Sequence, residues 1–153
     1  MTDFAIATGL IAIDDALRQK FVKVIDGTKK MRNYGSVFAE PVDYVSMNLP
    51  DYPEVIRRPM DLQTLRSNLM LGEYTHFWQF VRDADLIWSN CRVYNAAQNE
   101  SFFLKAADEC EKFFLGQLLR IEELRLNQRE LDAILQNPLP APQEDDDAPL
   151  TLL

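Results

Sequence analysis

The chain has 153 residues, which is enough for one domain with a buried core, and its composition is typical of a globular protein, with 47% hydrophobic and 26% charged residues. Its formal net charge is −8, and this acidic balance argues against direct nucleic-acid binding, which needs clustered lysine and arginine. The single histidine argues against zinc sites and most histidine-dependent catalysis. No stretch is long enough to span a membrane, and two cysteines are too few for a disulfide framework.

The first helical pattern covers about residues 11–32, after a short flank at residues 1–9. Apolar residues recur at three- and four-residue spacing, while lysine and arginine fill the other side, so we predict an amphipathic helix. The apolar line consists of Ile13, Leu17, Phe21, and Val24 or Ile25.

A long segment, residues 33–60, follows this helix and contains four of the eight prolines. Prolines remove backbone donors and push the preceding residue out of helical space, so we predict that no regular element persists there. The segment is rich in valine, tyrosine, methionine and leucine, which must pack on something. We therefore predict an ordered loop that forms a wall of the domain, since loops this long are usually functional.

Two capping signals mark the next helices. Asp61 is placed to cap a short helix that ends at Gly72, and Thr75 is a candidate cap for a third helix over about residues 76–94. The inward-facing residues of the short helix are Leu62, Leu65 and Leu69.

The third helix has an apolar face that leads to an asparagine. The face consists of Phe77, Phe80, Ala84, Ile87, Cys91 and Tyr94. Asn95 follows Phe77 by five turns of about 3.6 residues and therefore lies on nearly the same face. A carboxamide buried there without a partner would cost a few kcal/mol. Two interpretations stay open: Asn95 caps the helix end, or its NH2 group receives the carbonyl of a ligand.

A fourth helical pattern begins after a connection at residues 96–100. Its buried positions include Phe103, Cys110, Ile121, Leu124, Gln128, Leu131 and Leu135, which form a heptad-like seam in their later part. We predict that residues 121–137 extend this helix beyond the bundle until Pro138 stops it, with the alternative that the seam packs on its own domain. The acidic, proline-rich tail, residues 138–153, is predicted to be disordered.

The two longer connections should meet. If the helices alternate up and down, the long loop and the loop after Asn95 lie at the same end of the bundle. Asn95 then lies at the mouth of the bundle, beneath apolar side chains of the long loop. A mostly apolar pocket with few polar groups is the usual make-up of a small-ligand site.

Several motifs, in order, resemble the bromodomain family of acetyl-lysine readers. They are FAEPVDYVSMNLPDYPEVIRRPMDL at residues 38–62 and LIWSNCRVYN at residues 86–95. The resemblance implies an all-α, left-handed, antiparallel four-helix bundle over residues 10–120, with a long ordered loop between helices 1 and 2. Flanking this bundle are residues 1–9, the helix extension at 121–137 and the tail at 138–153.

The resemblance also implies roles for single residues. Asn95 matches the asparagine whose amide donates to the acetyl carbonyl, and Tyr52 matches the tyrosine that reaches this carbonyl through a water molecule. The implied walls of the pocket are Val42, Leu49, Phe38, Met47 and Tyr94. A dry pocket would accept a neutral acetylated lysine, whereas an ammonium would lose its hydration with no acid to pair with.

Two departures from the family pattern affect the pocket mouth. Ser36, Val37 and Phe38 stand where bromodomains often carry a Trp-Pro-Phe shelf, so the shelf is smaller and more polar. The loop after Asn95 is about two residues longer than usual. Helical phase favours Phe103 as the residue that guards the mouth, whereas an ungapped count gives Ser101, and Phe102 is a further alternative.

The expected function is non-catalytic binding of N-acetyl-lysine, most simply on histone tails, in chromatin or transcription regulation in the nucleus. Other chromatin-complex proteins are possible partners, and no cofactor, metal or membrane is implied. No catalytic site is expected, since Asp83 and Asp85 lie on different helix faces and no phosphate-binding loop occurs. The alternative is a degenerate bromodomain that acts as a protein-interaction scaffold through its last helix and acidic tail.

Overall fold

A computed structural model of the chain describes residues 9–136, which form helices and no strand. The helices are α1 (Asp15–Lys29), α2 (Tyr52–Val55), α3 (Leu62–Met70), α4 (Phe77–Ala96), α5 (Ser101–Leu119) and α6 (Gln128–Gln136), with 3-10 turns at Gly35–Phe38 and Glu122–Leu124. The helices α1, α3, α4 and α5 form a closed ring, in which α1 and α4 each pack on both α3 and α5. The prediction of an all-α bundle is confirmed.

The core lies inside this ring and is formed by the apolar faces that the sequence pattern indicates. Phe21 of α1 and Phe80 of α4 stack at its centre, with ring centroids 4.5 Å apart. Burying side chains of this size contributes about 1.5–3 kcal/mol each. Other residues with no exposed surface are Ile25, Leu62, Leu65, Leu69, Phe77, Ala106, Ala107, Cys110, Phe114 and Leu118.

The cap predicted at Asp61 is confirmed, because its carboxylate accepts a hydrogen bond from the Thr64 amide at 2.9 Å. Gly72 ends the following turn with φ +82°, a conformation that glycine adopts without strain. The cap predicted at Thr75 is wrong by one residue. His76 holds that position, because the Gln79 side chain turns back to accept hydrogen bonds from the amides of both Thr75 and His76.

The first helix is shorter than predicted at its start. Residues 11–13 are extended and pair with the segment that leads into α4: the Ile13 amide donates to the Thr75 carbonyl, and the Phe77 amide donates to the Ile11 carbonyl, both at 2.9 Å. Helix α1 therefore begins only at Asp15, after Asp14 has capped it by accepting from the Leu17 amide at 2.8 Å.

The long loop contains more regular structure than predicted, namely the 3-10 turn at Gly35–Phe38 and the single-turn helix α2. The prediction of no regular element failed because proline is tolerated in a first helical turn. Pro53 lies in that turn of α2, where its missing amide costs no intrahelical hydrogen bond.

The predicted extension of the last helix over residues 121–137 is wrong. Helix α5 ends at Leu119, the chain turns through Arg125 with φ 51°, and α6 packs back on α4. Of the predicted seam, Ile121, Leu124 and Leu131 are buried and Leu135 is half-buried, as the alternative of packing on the domain predicted, whereas Gln128 is exposed. Leu126 and Ile134, which the seam did not include, are buried as well. Burying these apolar side chains in the domain is more favourable than exposing them on a protruding helix. The predicted tail at 138–153 and most of the flank at 1–9 lie outside the described residues.

The buried thiol of Cys110 makes stability depend on alkaline pH. Burial raises its pKa from 9.0 to about 11, because the thiolate is poorly solvated in the core. The unfolded chain therefore loses this proton first, so the thiol's contribution to stability is complete below pH 9.0 and lost as pH rises through about 11. We expect the unfolding free energy to fall by up to about 3 kcal/mol across this window from Cys110.

Denaturant unfolding at several pH values checks this expectation. Cys110→Ala should show a shallower decline between pH 9 and pH 11 than the native chain. Equal declines in the two proteins would contradict it, because the other groups whose pKa is raised, Cys91 and the buried tyrosines, would then account for the whole effect.

Candidate functional site

A cavity of about 640 Å³ opens where α4 ends and α5 begins, beneath the long loop. The structure brings together in its lining all eight side chains that the sequence indicated: Phe38, Val42, Met47, Leu49, Tyr52, Tyr94, Asn95 and Phe103. Asn95 thus lies at the mouth of the bundle, as the alternation of helices predicted. Contact of each residue with a ligand stays a prediction.

The Asn95 side chain does not cap its helix. Its Nδ2 donates to the Cys91 carbonyl, one turn earlier, at 2.8 Å, and lies 3.6 Å from the Cys91 sulfur. The cap position belongs to Ala97. A carboxamide nitrogen carries two hydrogens, and Nδ2 donates both to the Cys91 carbonyl and, over a longer distance, to the Cys91 sulfur. Sulfur is a weak acceptor, so a carbonyl oxygen in the cavity can replace it as the partner of Nδ2.

The backbone after α4 folds around the same residue. The Asn95 carbonyl accepts from the amides of Gln98 at 3.2 Å and Glu100 at 3.1 Å. Asn99 adopts φ 56°, a left-handed conformation that asparagine tolerates better than most residues. This tight turn sets where α5 begins and therefore which side chain of α5 reaches the cavity.

Of the three candidates for the mouth, Phe103 lines the cavity, as helical phase favoured. Ser101 is exposed at the first position of α5. Phe102 is 50% exposed and packs beside Tyr34, with ring centroids 5.7 Å apart. The Phe103 carbonyl also accepts a weak hydrogen bond from the Cys91 thiol at 3.4 Å.

Tyr52 stands in the loop wall, buried between two other tyrosines. Its ring meets that of Tyr94 edge-on at 4.9 Å and stacks with that of Tyr44 at 6.0 Å. Burial raises the pKa of the Tyr52 phenol, which keeps the hydroxyl protonated and able to donate.

Near the cavity, two side chains of α4 that are four residues apart on one face hold the loop. The Tyr94 hydroxyl donates to Asp51 Oδ1 at 2.7 Å, and this hydrogen bond raises the pKa of Tyr94. The Asn90 side chain donates to the Arg58 carbonyl at 2.8 Å. Asp51 and Asn90 were recognised as parts of motifs, but sequence reasoning assigned them no role. The only sequence signal for these contacts is the four-residue spacing of Asn90 and Tyr94, which places both side chains on one face of the helix.

The shelf position differs from the family pattern in size and polarity. Ser36 is exposed and Val37 is half-buried. Phe38 is buried against Trp88 in an edge-on contact, with ring centroids 5.3 Å apart. Phe38 therefore anchors the shelf in the core. At the exposed position of the shelf, Ser36 offers a small hydroxyl in place of the large tryptophan ring.

The prediction that no acid lies near the pocket is wrong. Four carboxylates are among the lining residues, those of Glu40, Asp43 and Glu100, which are exposed, and that of Asp61, which is buried, while no lysine or arginine lines the cavity. Hydrogen bonds from Ser46 lower the pKa of Asp43 and keep it charged. The exposed rim is thus anionic, whereas the buried Asp61 carboxylate is already bonded to the Thr64 amide and hydroxyl.

No group of three or more potential metal ligands occurs within residues 9–136. Over the same range, no helix is long and apolar enough to cross a bilayer.

Comparisons with known proteins agree with this geometry. The family model described as Bromodomain matches residues 21–109, more than half of the chain. Bromodomain-containing factor 2 of Saccharomyces cerevisiae is 34% identical over 117 residues, which cover 76% of this chain and 18% of that protein. Transcription factor GTE10 of Arabidopsis thaliana is 44% identical over 89 residues, which cover 58% of this chain and 8% of that protein.

A solved structure shows the same fold. The second bromodomain of Candida albicans Bdf1, in its unbound form, superposes with a TM-score of 0.62 at 28% sequence identity, covering 70% of this chain and 99% of that one. The curated relatives are much longer than this chain, which spans less than a fifth of the yeast protein. The matched family model, the relatives and the shared fold together show that this chain belongs to the bromodomain family.

Proposed function

We propose that this chain is a non-catalytic binding module for N-acetyl-lysine. The observation that carries the proposal is the Asn95 carboxamide, which lines the cavity and donates from Nδ2 to the Cys91 carbonyl and, weakly, to the Cys91 sulfur, a partner that a ligand carbonyl can replace. Acetylation turns lysine into a neutral amide on an aliphatic stem, which suits an apolar cavity with one amide donor.

Histone tails are the proposed source of the ligand. The carboxylates of Glu40, Asp43 and Glu100 at the mouth favour a peptide whose neighbouring residues are basic. Two relatives support a role in chromatin or transcription, and hence in the nucleus: one is a bromodomain subunit of the SWR1 complex in Schizosaccharomyces pombe, and another is a transcription factor of Arabidopsis thaliana. Other subunits of such complexes are proposed as further partners.

Affinity at a single site should be modest. One hydrogen bond contributes about 1–3 kcal/mol when its loss leaves a buried group unpaired, and an acetyl-lysine side chain buries little area. Linked modules or partner proteins would then supply avidity.

Replacing Asn95 with alanine is expected to weaken binding of an acetylated histone peptide at least tenfold, because the donor for the carbonyl is lost. A peptide array first identifies acetylated histone peptides that bind. Titration of the chain with the acetylated and unmodified forms of these peptides then measures the affinity. Gln19→Ala is the matched control, since it removes a carboxamide from an exposed position of α1. The proposal fails if no acetylated peptide binds, or if Asn95→Ala binds as tightly as the Gln19→Ala control.

The scaffold alternative loses one of its two motives in the described part of the chain. Two of the seam residues that motivated it, Leu124 and Leu131, are buried in the domain. What remains of this alternative is the small, exposed shelf residue Ser36 and the acidic tail, which lies outside residues 9–136.

A further inference from the structure

The loop wall of the cavity is attached to α4 through two contacts of one side chain. The Tyr94 hydroxyl donates to the Asp51 carboxylate at 2.7 Å, and the Tyr94 ring supports the neighbouring Tyr52 ring at 4.9 Å. The hydrogen bond joins residues 43 positions apart in the sequence. Because both contacts fall on adjacent loop residues, they fix the orientation of this part of the loop as well as its distance from α4.

The Asp51 side chain is turned away from the position where aspartate usually acts. Asp51 precedes α2 at the cap position, where an aspartate side chain ordinarily accepts from an amide of the first turn. Here the side chain makes no such bond, and the amides of Glu54 and Val55 donate to the Asp51 backbone carbonyl instead. The carboxylate therefore serves a tertiary contact and not its own helix.

The loop wall also has an apolar cluster of its own, separate from the bundle core. Four members come from the loop, and Tyr94 is the member from α4. The cluster consists of Tyr52, Ile56, Tyr94, Val42 and Leu49. The position of this wall thus depends on Tyr94, in addition to the Asn90 contact one turn earlier along α4.

We propose that Asp51 is a positioning residue: by holding the Tyr94 hydroxyl it fixes the width of the cavity and keeps Tyr52 in place in the cavity wall. Asp51 does not itself line the cavity, so it acts through Tyr94. The effect on ligand binding rests on the proposed acetyl-lysine function, whereas the effect on the loop does not.

Four variants and one control test the contact by affinity for the acetylated peptide. Asp51→Ala and Tyr94→Phe should each weaken binding about five- to twentyfold, because each removes one partner of a charge-assisted hydrogen bond. The double variant should bind the peptide no more weakly than the single variant with the lower affinity, because both substitutions remove the same hydrogen bond. Asp51→Asn keeps an acceptor oxygen and should stay within about twofold of the native chain. Glu54→Ala is the control, since it removes an exposed carboxylate three residues away.

Amide hydrogen exchange without ligand provides an independent measurement. Asp51→Ala should speed exchange in residues 42–56 and leave the core amides of α4 protected, whereas Glu54→Ala should change neither. The proposal is overturned if loop exchange in Asp51→Ala equals that of the native chain. It is also overturned if core and loop exchange rise together, since Asp51 would then support only global stability.

The two proposals fail in different ways. If the native chain binds no acetylated peptide but Asp51→Ala still loosens residues 42–56 selectively, the acetyl-lysine function is refuted and the positioning of the loop is supported. If the native chain binds and Asp51→Ala changes neither affinity nor loop exchange, only the positioning role is refuted.

Discussion

Gly35→Ala is expected to destabilise the domain by about 3 kcal/mol or more, because the new methyl group would enter space that backbone atoms already fill. A Cβ on Gly35 would lie 2.4 Å from the Lys29 carbonyl oxygen and 2.6 Å from that of Thr28. Backbone at the end of a helix cannot rotate aside as a side chain can. Either the end of α1 or the 3-10 turn that carries Ser36 and Phe38 must move.

The chain offers a matched control at Gly27, inside α1. A Cβ there would meet its nearest neighbour, an edge atom of the Phe113 ring, at 3.6 Å, which is ordinary contact. Gly27→Ala should therefore be neutral or stabilise the fold by about 0.5–1 kcal/mol, since alanine favours helix. Thermal and denaturant unfolding of both variants measures the difference. Equal stability of the two variants would show that the backbone around Gly35 shifts at little cost in free energy and that a Cβ fits there.

Removing the segment after Arg120 is expected to have an effect at least as large. A chain that ends at Arg120 loses the buried residues of the α5–α6 connection and of α6, and exposes the surface of α4 on which α6 packs. Each buried Leu or Ile contributes about 1.5–3 kcal/mol, and a domain of this size has only about 5–15 kcal/mol of net stability. We expect the shortened chain to be largely unfolded at 37 °C or to aggregate.

A point substitution tests the same packing without changing chain length. Leu131→Ala should cost about 2–5 kcal/mol, because Leu131 has no exposed surface. Leu71→Ala is the matched control, since Leu71 is 75% exposed and its loss should cost little. A chain that ends at Gln136 keeps the whole described fold and should unfold like the full chain. Native-like stability of the chain ending at Arg120 would show that α6 is dispensable.

These expectations change how the scaffold alternative can be tested. Deleting residues 120–153 removes partner binding under that alternative, but it also removes the support that α6 gives to α4. Because α4 carries Asn95, such a deletion would weaken acetyl-lysine binding as well. A chain that ends at Gln136 lacks the acidic tail but keeps α6. It therefore tests partner binding by the tail without disturbing the fold.

The sequence by itself determined the four helices of the bundle, two of their capping residues and the residues that meet at the cavity. Helical periodicity depends on local spacing, so the inward faces of α1, α3, α4 and α5 could be predicted from the sequence alone. Asp61 and Gly72 were readable because a cap or a left-handed turn restricts residue type at a single position. The alternation of helices was enough to place Asn95 beneath the loop.

Only the tertiary structure decided the features that depend on contacts distant in sequence. The pairing of residues 11–13 with the start of α4 shortened α1, and the surface of α4 turned a predicted helix extension into the separate helix α6. The Asn95 side chain bonds back to Cys91, and Asp51 bonds to Tyr94, neither of which follows from residue type. Periodicity indicates which face of a helix is apolar, whereas the partner of that face is set by packing across the whole chain.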